Sequence, residues 1–110
     1  MRILSPLGAA RDAVSAQATR PATALLHDVP DARVVVFRIE PGQEVAPHTS
    51  SSTVLLSVVE GRGTVSGASG ESRVCPGDVV AYDVGELHGM KAGSERLVIA
   101  AIITPRPGAR

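Results

Sequence analysis

The stretch Gly42-Gln-Glu-Val-Ala-Pro-His48-Thr-Ser50-Ser-Ser-Thr-Val54-Leu-Leu-Ser-Val-Val-Glu60-Gly61 decides how the chain is read. Its second half, residues 54–60, is a short run rich in β-branched side chains and closed by glycine, which reads as a strand. Side chains of a strand alternate between two faces. Val54, Leu56 and Val58 fall on one face and Leu55, Ser57 and Val59 on the other, so both are mostly apolar. One face can line a core; the second needs another sheet layer or a second subunit. The last apolar run, 95–103, has the same character, with Leu97, Ile99, Ala101 and Ile103 opposite Val98, Ala100 and Ile102. The pattern predicts a homo-oligomer, most simply a homodimer.

Further short runs lie at 22–27, 33–40, 64–66, 71–75, 79–84 and 88–91. Turn residues separate them: Asp28-Val29-Pro30-Asp31, Pro41-Gly42, Gly61-Arg62-Gly63, Gly67-Ala68-Ser69-Gly70, Pro76-Gly77 and Gly85. After residue 22 no helical period persists over three turns, and Pro105 and Pro107 stop the last run. The expected architecture is an all-β barrel domain over 22–104. A 1–21 arm, or a short helix starting after Pro6, precedes it and a 105–110 tail follows. The polar run 49–53 reads as a turn leading into the strand.

Composition excludes several partners. The chain has 110 residues, 44% of them hydrophobic, with 11 basic and 11 acidic side chains and two aromatics, Phe37 and Tyr82. That length supports one core. Zero net charge removes the electrostatic footprint of a nucleic-acid or membrane-surface binder, and the lack of aromatics removes base-stacking platforms. No apolar run approaches the roughly 20 residues of a membrane span. Residues 1–20 carry Arg2, Arg11 and Arg20 against Asp12 without the apolar core of a secretory signal. A single cysteine, Cys75, excludes an intramolecular disulfide and fits a cytoplasmic protein.

Two segments carry a motif pattern. In the first, Gly42 is followed after five residues by His48, then Ser50, Val54 and, after six more, Gly61. In the second, Gly77, Asp83, Gly85, His88 and Ala92 keep an equally regular spacing, and fifteen residues, 62–76, separate the two. This spacing resembles the paired motifs of the cupin superfamily, small jelly-roll barrels. By that resemblance His48 and His88 stand at metal-ligand positions. Ser50 stands where a second histidine is usual, Val54 where a glutamate is usual, and Asp83 and Ala92 replace a proline and an asparagine.

The resemblance implies a site inside the barrel, with His48, Ser50, Val54, Leu56, Tyr82, His88 and Met90 as cavity residues around a small-molecule ligand. It also implies one divalent transition metal (Zn, Ni, Fe, Mn or Cu) at His48 and His88. Without the carboxylate that offsets cation charge, such a site holds metal weakly. His27, on the same face as Thr23 and Leu25 in an unbroken strand, is a candidate third imidazole or a plain surface histidine. Glu86 is a candidate carboxylate at the barrel mouth or an exposed loop residue, and Glu44 and Asp83 read the same way. Cys75, with Arg73 on the same strand face, reads as a quiet thiol. Three functions stay open: a small-molecule-binding barrel, a metal-dependent enzyme (dioxygenase, isomerase or lyase), and a non-catalytic oligomerisation or interaction module.

Overall fold

The turn signals end strands where the backbone reverses. The computed structural model describes residues 1–108 and contains one helix, α1 (Pro6–Asp12), followed by nine strands. Ser5 caps α1 by accepting the Gly8 N–H at 3.4 Å, and Pro6 occupies the first turn, where a missing N–H costs nothing. The strands are β1 (Ala22–Val29), β2 (Ala32–Ile39), β3 (Glu44–His48), β4 (Thr53–Glu60), β5 (Gly63–Gly67), β6 (Gly70–Val74), β7 (Val79–Tyr82), β8 (His88–Ala92) and β9 (Leu97–Thr104). They form a five-stranded sheet in the order β1-β2-β9-β4-β7 and a four-stranded sheet in the order β3-β8-β5-β6. Every pairing is antiparallel. The fold is therefore the expected all-β, jelly-roll type of barrel with a short N-terminal helix. Among the described residues no helix is long and apolar enough to cross a membrane.

The core lies between the sheets. Ile39, Val54, Leu56, Val58, Leu97, Ile99 and Ala101 enter it from the five-stranded sheet, and Val65, Val74, Met90 and Ala92 from the four-stranded sheet. Val54, Leu56 and Val58, and likewise Leu97, Ile99 and Ala101, are thus the sets that alternation grouped on one face of their strands. At the link between the sheets Gly61 has φ +78°, and a Cβ there would lie 1.7 Å from the Arg96 carbonyl oxygen. Both the conformation and the close approach require glycine.

The expectation that a second sheet layer or subunit covers the outer faces of β4 and β9 needs correcting in part, because α1 covers one end of them. Ala10 of the helix is buried with Val36 and Val98, and Leu26 and Val59 pack beside them. Arg38 fastens the helix, donating to the carbonyls of Ala10 (2.6 Å), Ala13 (2.9 Å) and Arg11 (3.3 Å). Its Nε lies 3.3 Å from Glu40 Oε2, an ion-pair distance without hydrogen-bond geometry, so that buried N–H lacks a hydrogen-bond partner. Arg96 in turn binds Glu40 at 3.0 and 3.2 Å. Past the helix an apolar row continues on this face, where Ala81, exposed, and Leu55, Ile102 and Val34, half-buried, stand side by side in register across four strands.

Two further differences from the sequence reading bear on the site. Residues 44–48 form a strand, β3, which the chain's alternation does not reveal. A bulge between Leu25 and His27 shifts the phase of β1, so His27 pairs with Val34 on the outer face rather than continuing the face of Leu25. Beyond β9 the chain stays attached: Ser52, almost fully buried, donates to the Pro105 carbonyl at 2.6 Å, and the Arg106 N–H reaches the Pro30 carbonyl at 3.1 Å. Residues 109–110 of the expected tail lie outside the described residues.

Candidate functional site

Two edges of sequence meet at one mouth of the barrel. β3 ends at His48 and β8 begins at His88, and the antiparallel register makes these two residues direct partners across a bulge. A cross-strand pair shares one face, so the rings come together. Their centroids are 4.2 Å apart with planes inclined at 58°. Each ring is fixed by its own chain: His48 Nδ1 lies 3.0 Å from the Ala46 carbonyl oxygen and His88 Nδ1 lies 3.1 Å from that of Glu86.

Behind His88 stands Tyr82, centroid to centroid 5.1 Å. Its hydroxyl donates to the Ser66 carbonyl at 2.7 Å, so it is committed to the scaffold. Burial, reinforced by the negative charge of Glu86, pushes the Tyr82 hydroxyl above its ordinary pKa and keeps it a donor. The expectation that Tyr82 lines the cavity is corrected: it supports His88 from behind.

The cavity in front of the rings has a volume of about 380 Å³. Val54, Leu56, Met90 and Ala101 form its buried floor with His88, Phe37 and Ile103 complete the apolar wall, and His48, Thr49, Ser51 and Pro107 stand exposed at the mouth. Among the described residues no arginine, lysine, aspartate or glutamate lines it. Of the expected cavity residues, His48, Ser50, Val54, Leu56, His88 and Met90 come together here. Phe37, Ala101 and Ile103 were missed, although they lie on the inward faces of β2 and β9; their convergence depends on the β2–β9–β4 register.

A complete cupin metal centre does not fit these residues. Val54, at the carboxylate position, is packed into the core and has no donor atom. Ser50 offers a neutral hydroxyl, which already accepts the Ser52 N–H at 3.1 Å. The Glu86 carboxylate accepts the Asp83 N–H at 3.1 Å, and it is the Glu86 backbone carbonyl, not the side chain, that orients His88. Glu44 is exposed and pairs in register with Lys91, and Asp83 is exposed in its loop. His27 does not join the pair: it lies in a separate recess with Met1, Arg2 and Leu4. Among the described residues no three His, Cys, Asp or Glu side chains are grouped to hold a metal ion. Cys75 is exposed, its thiol donating to the Asp78 carboxylate at 3.6 Å.

Two facing antiparallel sheets with an imidazole pair at one mouth define a cupin-type double-stranded barrel. Within that class, the model for the AraC-like ligand binding domain matches residues 32–108, and the chain belongs to that family. Solved structures agree on the fold. KdgF from Halomonas sp. superimposes with a TM-score of 0.78 at 21% identity, covering 86% of this chain and 88% of its own. An uncharacterized conserved protein with a double-stranded β-helix domain from Klebsiella pneumoniae gives 0.82 at 24% identity, covering 100% and 94%. A predicted oxalate decarboxylase from Thermotoga maritima gives 0.73 at 22% identity, covering 78% and 81%. Comparison with curated proteins finds no match.

Proposed function

We propose that this protein is a ligand-binding barrel that takes a small molecule into the cavity in front of His48 and His88. The observation that carries the reading is a largely apolar recess of about 380 Å³ with an adjacent imidazole pair and the few hydroxyls of Thr49, Ser50 and Ser51 as its polar groups. Small-molecule sites have this character, an apolar lining with few oriented polar groups. Membership of a family described by ligand binding supports it. The metal-dependent enzyme is the second reading, favoured by the two adjacent imidazoles and opposed by the lack of a carboxylate or third imidazole beside them.

A fragment library screened by ligand-observed NMR tests the proposal, with Ala101→Phe as the control that fills the recess. Several fragments are expected to bind the wild type and to lose binding in Ala101→Phe, with circular dichroism verifying the variant's fold. Fragments that bind both proteins equally, or none that bind the wild type, would overturn it. Stoichiometric metal that disappears in His48→Ala would favour the enzyme reading.

The proposal includes a homodimer, in which a second copy covers the row of Ala81, Leu55, Ile102 and Val34. Support comes from the apolar character of that row beyond the reach of α1. A cytoplasmic setting belongs to the same proposal and is supported by the free cysteine, Cys75.

A further inference from the structure

We infer that the ligand is an uncharged, largely apolar molecule carrying one or two hydroxyl groups, a phenol or hydrophobic alcohol, which donates its hydroxyl hydrogen to the His48–His88 pair. This inference rests on the cavity-binding reading above and specifies its ligand class. A carbonyl oxygen has no proton to give, so each Nδ1 that approaches one must itself carry the hydrogen. A neutral imidazole has one N–H, and its other nitrogen is then an acceptor. In the neutral form both rings therefore present Nε2 as a lone pair, and neither Nε2 makes a hydrogen bond within the described residues. His88 is nearly buried, yet its Nε2 is not among the sealed-off polar atoms, which leaves the cavity as its outlet.

The lining excludes other classes. Among the described residues the recess offers no arginine or lysine to a carboxylate or phosphate and no acid to an ammonium, so either would lose its water without a charged partner. A polyol that reached the floor would bury hydroxyls against Val54, Leu56, Met90 and Ala101, away from the Thr49 and Ser51 hydroxyls exposed at the mouth, and each unpaired group there costs free energy. One or two hydroxyls match two acceptor nitrogens. At about 30 Å³ per water-sized group, the cavity volume admits roughly a dozen heavy atoms.

A matched series makes the test: 4-ethylphenol, its methyl ether 4-ethylanisole, and 4-ethylbenzoate, measured by calorimetry at pH 8 with chelator-treated protein. There the phenol is neutral and the benzoate ionised. The phenol is expected to bind about tenfold more tightly than either analogue, the scale of one hydrogen bond. The double variant His48→Leu/His88→Leu, its fold verified by circular dichroism, is expected to bring the phenol-to-ether affinity ratio from about ten down to about one, whereas each single variant keeps one acceptor and retains part of the preference; a ratio that stays near ten in the folded double variant would overturn the hydrogen bond to the pair. An ether or benzoate that binds as tightly as the phenol would overturn the ligand class but leave the cavity reading intact. If no member of the series binds while fragments from the library still do, the class alone also fails; if nothing binds, both fall.

Discussion

The two sheets of the barrel are unlike in length, in what they bury and in what they expose. In the five-stranded sheet four strands run eight residues, whereas all four strands of the other sheet have five. The longer strands send Ile39, Leu56, Leu97 and Ile99 into the core, and their outer faces are apolar as well. The shorter sheet carries the outward polar row Glu44, Lys91, Thr64 and Arg73, three of its four side chains charged, and both cavity histidines sit at its edge pair β3–β8. The difference teaches where each property resides. Aliphatic burial in the long sheet carries stability, and the short sheet, with less to lose, holds the polar groups of the site.

Core truncation should break this symmetry most visibly. Ile99 is fully buried at the centre of the long sheet, and Ile99→Ala is expected to cost about 4 kcal/mol in chemical denaturation, from lost transfer energy and the cavity left behind. His48→Ala, at an exposed position of the short sheet, should change stability by less than about 0.5 kcal/mol. Equal losses in the two variants would refute the division. The outer faces give the next contrast. Leu55→Lys places a charge in the apolar row, and sedimentation is expected to show at least a tenfold weaker dimer, about 1.4 kcal/mol, with the fold retained. The same lysine on the short sheet, Thr64→Lys, should leave assembly unchanged. Identical sedimentation of wild type and Leu55→Lys would sink the second copy.

Most strands of the long sheet were legible in the sequence because long β-branched runs closed by turn residues mark them, and sorting Val54, Leu56 and Val58 onto one face grouped residues that the fold buries together. β3 was not, since five mostly exposed residues with Pro47 at an edge show no alternation, although the motif spacing around His48 marked its end. The His48–His88 pairing was legible through the resemblance, and the register adds why the rings touch. Of the two readings of His27 the fold keeps the one outside the site, and only its strand face was not legible: a one-residue bulge reverses strand phase, and nothing in Leu25-Leu26-His27 announces it. Tyr82 was placed on the correct inward face, but its hydroxyl reaches Ser66, a tie that sequence spacing does not encode. Phe37, Ala101 and Ile103 required the pairing of strands distant in sequence.

The smallest effect lies where the helix meets the long sheet. Hydrogen bonds from Arg96, with burial opposing and the charges of Arg96 and Arg38 assisting, hold the Glu40 carboxyl below its ordinary pKa. A carboxylate whose pKa is lowered by folding contributes stability that is complete above the unfolded value, 4.5, and is lost as pH falls through the folded one. Glu40 is 34% exposed and Arg96 49%, so screening keeps the contribution below about 1 kcal/mol. Stability followed between pH 6 and 3 should thus decline less steeply in Glu40→Gln than in the wild type, with the two differing little at pH 3. Because Arg38 binds the Ala10 and Ala13 carbonyls independently of Glu40, α1 should stay docked throughout, which hydrogen exchange of the Ala13 amide, bonded to Ala9, can read. Parallel pH profiles would remove Glu40 from the ledger of the long sheet, and early exchange of Ala13 in Glu40→Gln would instead make the carboxylate a clasp for the helix.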